Sequence, residues 1–341
     1  MRSATTGITE YDRFGPWIDE VKEPDDVPRL YRRHGIDLSA ARLVLKVPRN
    51  ISRRNANPDM DLYDHLLVLG QDQLTVLSRR TGGPPQPGAA DSGKGYDVLT
   101  IQLADVVAIR NAVNLLDGRL TVATSAGASI TVPYNGSAAG TVGRLVSALK
   151  EVPCATPASP VGVALLEVGG RFARPTLEPG TTTVSRPTPG TGPTPTPGPI
   201  DTFLVSAWLV AQDADPRLAV WAAHGHRPLT PDAPGLAGIV QRAKHAFSPM
   251  TLHGCLIAAD GHALELYGRH SWLVRGRDAI YSLSHVVIPF GAPDHLALSP
   301  HPLYPDAAVA TIGAGQWREE IAVPRDSVAA QLLSEAARKS R

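Results

Sequence analysis

The stretch Leu115–Lys150, LLDGRLTVATSAGASITVPYNGSAAGTVGRLVSALK, decides the fold class. Leu116, Leu120 and Val122 share one face, Ser125-Ala126-Gly127 reverses the chain, and Ile130 and Val132 resume the period of two that a half-buried strand requires. Ser137 is a good N-cap, and Val142, Leu145, Val146 and Leu149 recur at helical spacing as one apolar stripe. The segment therefore predicts strand, turn, strand and one amphipathic helix. A similar pattern closes the chain: Val309-Ala310-Thr311 echoes Val122-Ala123-Thr124, and Ile321-Ala322-Val323-Pro324 echoes Ile130-Thr131-Val132-Pro133. A helix capped by Asp326 or Ser327 follows, so two β-domains are expected, each finished by a helix.

Composition sets the bounds. A chain of 341 residues is long enough for two domains, each with its own core. Lys+Arg 33 against Asp+Glu 32 leaves a formal charge of +1, which gives no bulk attraction to nucleic acid. Cys154 and Cys255 are too few and too unlike in setting for a disulfide framework, which points to a reducing cytoplasm. The first fifteen residues lack the apolar run of a secretory signal, and the run Phe203–Ala211 is too short to span a bilayer. Abundant Ala, Gly and Pro, with Arg far ahead of Lys, suits a high-GC bacterial coding sequence.

From the N-terminus, residues 1–40 read as an extension, in which Tyr11, Phe14 and Trp17 form a strap that docks on the first domain. Residues 41–153 form that domain. Its strand signals begin at Leu43, and Tyr63–Leu77 forms a hairpin about Gly70-Gln71-Asp72-Gln73. Thr81–Gly95 is too rich in Gly and Pro to pack and reads as an excursion between strands. Residues 154–200 read as a Pro/Thr/Gly-rich linker, in which Val161–Val168 is an edge strand or part of the tether. Residues 201–341 form a second, divergent β-domain, with strands at Phe203–Val210, Leu218–Ala223 and Met250–Ile288. Ile239–Phe247 reads as a short helix or a lead-in, and a Pro/His loop is expected at Phe290–Pro305.

Tyr96–Arg110, Leu115–Asn135 and the helix Ser137–Lys150, with Met250–Ile288, Ala307–Pro324 and Asp326–Lys339 in the second half, carry a family resemblance. About seven antiparallel strands closed by one C-terminal amphipathic helix resembles the pleckstrin-homology (PH)-like architecture, most of all its bacterial versions. The resemblance implies a mainly β (α+β) fold of two half-open barrels on a Pro/Thr-rich linker. It also implies non-catalytic binding of phosphoinositides, peptides or proteins. Many eukaryotic members carry a tryptophan in the closing helix, and neither helix here has one.

Three groups of residues could carry chemistry. Lys46, Arg49, Arg53 and Arg54, in KVPRNISRR, could grip phosphates with guanidinium forks. Tyr267, Arg269, His270 and Arg275 mix aromatic and basic character and could form a partner-binding stripe, with Trp272 reading as core. His224-Gly225-His226 could begin a metal site if both side chains share a face, but ordinary polar surface is the favoured reading. No phosphate-binding loop, nucleophile elbow or His-Glu-x-x-His helix appears, so no catalytic residue, metal or cofactor is expected. The leading expectation is a two-module adaptor or scaffold that binds protein partners in the bacterial cytoplasm. A peripheral binder of anionic phospholipid at the inner membrane face, using loop 46–54, is the alternative. An enzyme on an unrecognised β-scaffold is third, and nucleic acid is not an expected partner.

Overall fold

The computed structural model describes residues 9–82, 86–174, 201–231, 250–275 and 282–341. The first half contains α1 (Glu10–Arg13), β1 (Asp19–Glu20), β2 (Leu43–Pro48), β3 (Tyr63–Leu69), β4 (Gln73–Arg79), β5 (Ala90–Asp91), β6 (Tyr96–Gln102), β7 (Val106–Asn114), β8 (Asp117–Thr124), β9 (Ser129–Asn135) and α2 (Ala139–Cys154). Then come α3 (Pro160–Gly169), α4 (Thr202–Ala214), β10 (Ala219–His224), β11 (Arg227–Leu229), β12 (Met250–Leu252), β13 (Cys255–Ala259), β14 (Ala263–Gly268), β15 (Leu273–Arg275) and β16 (Ser282–Pro289). The chain closes with β17 (His295–Pro300), β18 (Ala307–Ala314), β19 (Trp317–Pro324) and a last helix, α5 (Val328–Lys339). Every strand pair is antiparallel.

The repeated sequence is a repeated topology. In the first module the meander β2-β3-β4-β6 is followed by β7-β8-β9 and then α2. In the second, β10-β13-β14-β16 is followed by β17-β18-β19 and then α5. The echoed segments fall on equivalent strands, and Ile130 and Val132 are buried, as are Ile321 and Val323. The Val-Ala-Thr echo is shifted by one: Val122 is buried in β8, whereas in β18 the buried residue is Ala310.

The two modules are joined by a shared sheet. β16 pairs with β7, with Val287 opposite Ile109 and Ser282 opposite Asn114, so the sheet runs β10-β13-β14-β16-β7-β8-β9. One face of this seven-stranded sheet carries Ile109, Leu120, Val122, Ile130 and Val132 together with Ala263 and Val287. Sheet β1-β2-β3-β4-β6-β5 and the Val142/Leu145/Val146/Leu149 stripe of α2 pack over it. The opposite face carries Leu264, Leu266, Val286 and Ile288, packed against β17-β18-β19, α5 and α3. A strand with both faces buried reads as a near-continuous apolar run, and β14 has no exposed residue.

The equivalent hairpin turns of the two modules touch as well. Gln316 N donates to Ser125 O at 2.9 Å. Gly315 sits at φ +59°, and a Cβ there would lie 2.2 Å from Ser125 O, so the approach needs glycine on both counts.

Several sequence expectations are corrected. Phe203–Val210 lies in helix α4, started by the Asp201 side chain accepting from Phe203 N, with Leu204 and Trp208 buried one turn apart. Val161–Val168 is helix α3: Ser159 caps it, accepting from Gly162 N, and Pro160 occupies its first turn, where a missing N–H costs nothing. The stretch expected to be a tether thus begins as packed structure, and residues 175–200 lie outside the described residues. The Pro/His loop contains β17. Within the Thr81–Gly95 excursion, β5 pairs with β6. Leu116 does not share the face of Leu120 and Val122: it stands in the turn and is 64% exposed. The short helix or lead-in at 239–247 lies outside the described residues.

Candidate functional site

The N-terminal segment lies on the outer face of the first sheet, burying Phe14, Val21, Val27 and Tyr31 against Val44, Leu66, Leu77 and Tyr96, while Trp17 is left 62% exposed. This packing engages two of the four basic residues, Lys46 and Arg53, and a third, Arg49, is held by the loop before β3. Lys46 is buried, donates to Asp26 O at 3.3 Å and lies 5.3 Å from the Tyr63 ring centre. Arg49 donates to Asp61 O at 3.3 Å. Arg53 donates to Phe14 O at 2.6 Å and to Asp12 O at 3.3 Å, and stacks over Tyr11. Arg54 alone of the four is exposed without a recorded partner. A phosphate would have to displace the segment's own carbonyls to reach Lys46 or Arg53, and the Asp61 carbonyl to reach Arg49.

The aromatic-basic stripe is divided between interior and surface. Tyr267 is buried under α4 with Trp208, Leu256 and Ala258, which removes it from any partner surface. Arg269 pairs with Asp201 at the start of α4, donates to Ser282 O at 2.8 Å and lies over Phe203. His270 and Arg275 are exposed. His224 and His226 do not share a face: β10 ends at His224, which is buried, and His226 is exposed. His224 is therefore not the surface residue expected. Burial holds its imidazole neutral, down to about 4. Among the described residues no group of three or more His, Cys, Asp or Glu side chains could hold a metal ion.

Sequence reasoning missed a buried charged cluster at the joint. Lys150, on α2 of the first module, reaches Glu265 at 2.8 Å and Asp260 at 3.2 Å in the second. The Lys150 side chain is 20% exposed, against 3% for Glu265 and 2% for Asp260. Tyr267 donates to Glu265 at 2.6 Å, and His285 Nε2 stands 2.9 Å from the same carboxylate. Asp260 also accepts from the main-chain N–H groups of His262 and Ala263. Burial works against charge on Glu265, but His285 and then Lys150 overcome it and hold the carboxyl well below the usual range. Burial likewise opposes charge on Lys150, and Glu265 followed by Asp260 more than restores it. Burial, with Asp260 nearby, pushes the Cys154 thiol up to about 12, and burial raises Cys255 too, so neither is a thiolate at neutral pH. Every carboxylate in this cluster is matched by groups of the chain itself. Its chemistry is cohesion between modules. The signal in the sequence was Glu265 inside the apolar run ALELYG: a lone charge in a fully buried strand needs a partner.

One surface feature has no internal purpose. The β7–β8 hairpin turns at Leu115-Leu116, which are 57% and 64% exposed, and Leu115 has φ +56°, the only described non-glycine residue with positive φ. A leucine in that region costs about 1–2 kcal/mol relative to glycine. The tip is held firmly: Gly136 N donates to Leu116 O at 2.8 Å, and a Cβ on Gly136 would lie 2.2 Å from Leu115 O. Two leucines are thus presented to solvent on a fixed tip, with Leu115 in a strained backbone conformation.

No protein-family model, curated protein or solved structure matches this chain. Among the described residues no helix is long and apolar enough to cross a membrane.

Proposed function

We propose that the protein is a non-catalytic scaffold that binds a protein partner through the Leu115-Leu116 tip, with two PH-like modules fused as a rigid base. The observation that carries this is the exposed leucine pair, with strain at Leu115, on a hairpin anchored to the α2 end of its module. Backbone strain of this kind persists where the surroundings over-determine it and a function uses it, and a preformed apolar knob loses little entropy on docking. The PH-like reading is supported by the four-plus-three strand order closed by a helix in both modules. The non-catalytic reading is supported by buried carboxylates matched within the chain and by thiols held protonated. A bacterial cytoplasmic setting belongs to the same proposal. Loop 46–54 lends little to the lipid alternative, because Lys46 and Arg53 hold the N-terminal segment and Arg49 holds the Asp61 carbonyl.

The test separates contact from stability. Leu115→Gly relieves the positive-φ strain and is expected to raise stability by about 1 kcal/mol, read as a higher urea midpoint. Combined with Leu116→Ser, it is expected to lose any stoichiometric partner recovered from host lysate by the tagged wild-type protein. Undiminished recovery of that partner by the double variant would sink the proposal.

A further inference from the structure

The edges of the two larger sheets are closed by different means. At the ends of the six-stranded sheet, β1 and β5 are only two residues long. At one end of the seven-stranded sheet β10 is closed by main chain, since Arg174 N donates to Val220 O at 2.8 Å and Val220 N donates to Arg174 O at 3.0 Å. At the other end lies β9, seven residues long and closed by one side chain. Gln86 Nε2 donates to Thr131 O at 2.9 Å, and Thr131 N donates to Gln86 Oε1 at 2.9 Å. These are the two bonds that a peptide group of a neighbouring strand would make. Behind Gln86 lies a cavity of about 20 Å³ lined by Val76, Ser78, Ala89, Asp97, Leu99 and Ile130.

An unpaired edge strand is a template for another strand, and native proteins protect such edges with short strands, proline and covering groups. In β9 the outward main-chain groups recur every second residue from Thr131, so Ser129 and Pro133 also face outward, and Pro133 has no N–H to offer. Ser129 and Thr131 are half-buried and Pro133 is exposed.

We propose that β9 is a self-pairing edge for a second copy of this chain, kept closed by the Gln86 side chain. With the two-fold axis at Thr131, the threonines of the two copies exchange two main-chain bonds. Each Ser129 N–H meets the carbonyl of Pro133 in the other copy. The prolines then cost nothing beyond one carbonyl on each side left to water. The pattern is symmetric about Thr131, as an isologous contact requires, and the resulting dimer is closed. This proposal stands independently of the Leu115-Leu116 reading.

Sedimentation equilibrium of the full chain tests it. Gln86→Ala is expected to double the apparent mass at concentrations where the wild type is monomeric, and Gln86→Asn, whose amide falls one methylene short, is expected to do the same. Adding Thr131→Pro to Gln86→Ala removes the outward donor without touching the β8 ladder, and should restore the monomer. Folded Gln86→Ala and Gln86→Asn proteins that stay monomeric would overturn the proposal, and so would a dimer that survives Thr131→Pro.

Discussion

The two modules share a topology but differ in what covers the first sheet of each. In the first module the outer face is covered by the N-terminal segment, through Phe14, Val21 and Tyr31. In the second it is covered by α4, through Trp208, and by α2 of the neighbouring module, through Lys150 and the cluster around Glu265. The first cover is an addition to a finished module. The second makes each module part of the other's core, with Ala263 and Val287 buried among residues of the first. The comparison says that the chain is one structural unit with two similar halves, and that the joint, more than either half, is where its stability is exposed to change.

The sharpest way to break this arrangement is a charge in the shared sheet. Val287 is fully buried opposite Ile109, and Val287→Asp leaves an unpaired carboxylate there. It is expected to cost about 4 kcal/mol or more. The corresponding loss in urea midpoint should appear in probes of both halves at once. Probes that report loss in the second half alone would mean that the halves unfold separately.

Lys150→Met is the next test, because it removes the cation shared by two buried carboxylates, leaving Asp260 to its main-chain donors and Glu265 to His285 and Tyr267. Stranding buried partners in this way costs about 3 kcal/mol. Arg119→Met on the exposed side of β8 serves as a control and should change stability by no more than about 0.5 kcal/mol. Equal effects of the two substitutions would show that the cluster contributes no cohesion.

Acidification probes both halves at lower amplitude. His65 in the first module and His224 in the second are buried, and desolvation lowers each to about 4. Between pH 6.5 and 4 the unfolded chain binds protons that the folded chain refuses. Stability is therefore full above pH 6.5 and falls with acid by up to about 1.4 kcal/mol per pH unit for each histidine. Below that window Glu265 adds a loss of the same sign, because its folded pKa is depressed. Urea midpoints at a series of pH values read the slope directly, and a flat profile across the window would contradict the burial of both rings.

The same comparison explains what was legible in the sequence. Where one face of a strand meets solvent, as in β9 with Ile130, Val132 and Tyr134 inward, alternation located it and the residue period assigned its faces. The helix stripe Val142/Leu145/Val146/Leu149 and the repeat at the C-terminus were legible for the same reason. Where both faces are covered, alternation vanishes. Tyr267 in β14 therefore looked like a surface aromatic, and Glu265 went unnoticed as one member of a cluster drawn from three distant segments. Two helices were overlooked although Ser159-Pro160 and Asp201 announce their starts, because the apolar runs that follow look equally like strands over so short a span. The tip was disguised as strand: Leu115 and Leu116 occupy a turn where asparagine and glycine are usual, and only the backbone reveals the strain.

The central claim, that the halves form one unit through the β7–β16 ladder, is tested most directly by cutting the chain between them. A protease site placed within residues 181–195 and cleaved in the purified protein should leave two fragments that elute together from a sizing column at the 36.1 kDa of the intact chain. The same cleavage in Val287→Asp should release them. Two folded fragments that elute separately from the cleaved wild-type protein would contradict the shared sheet.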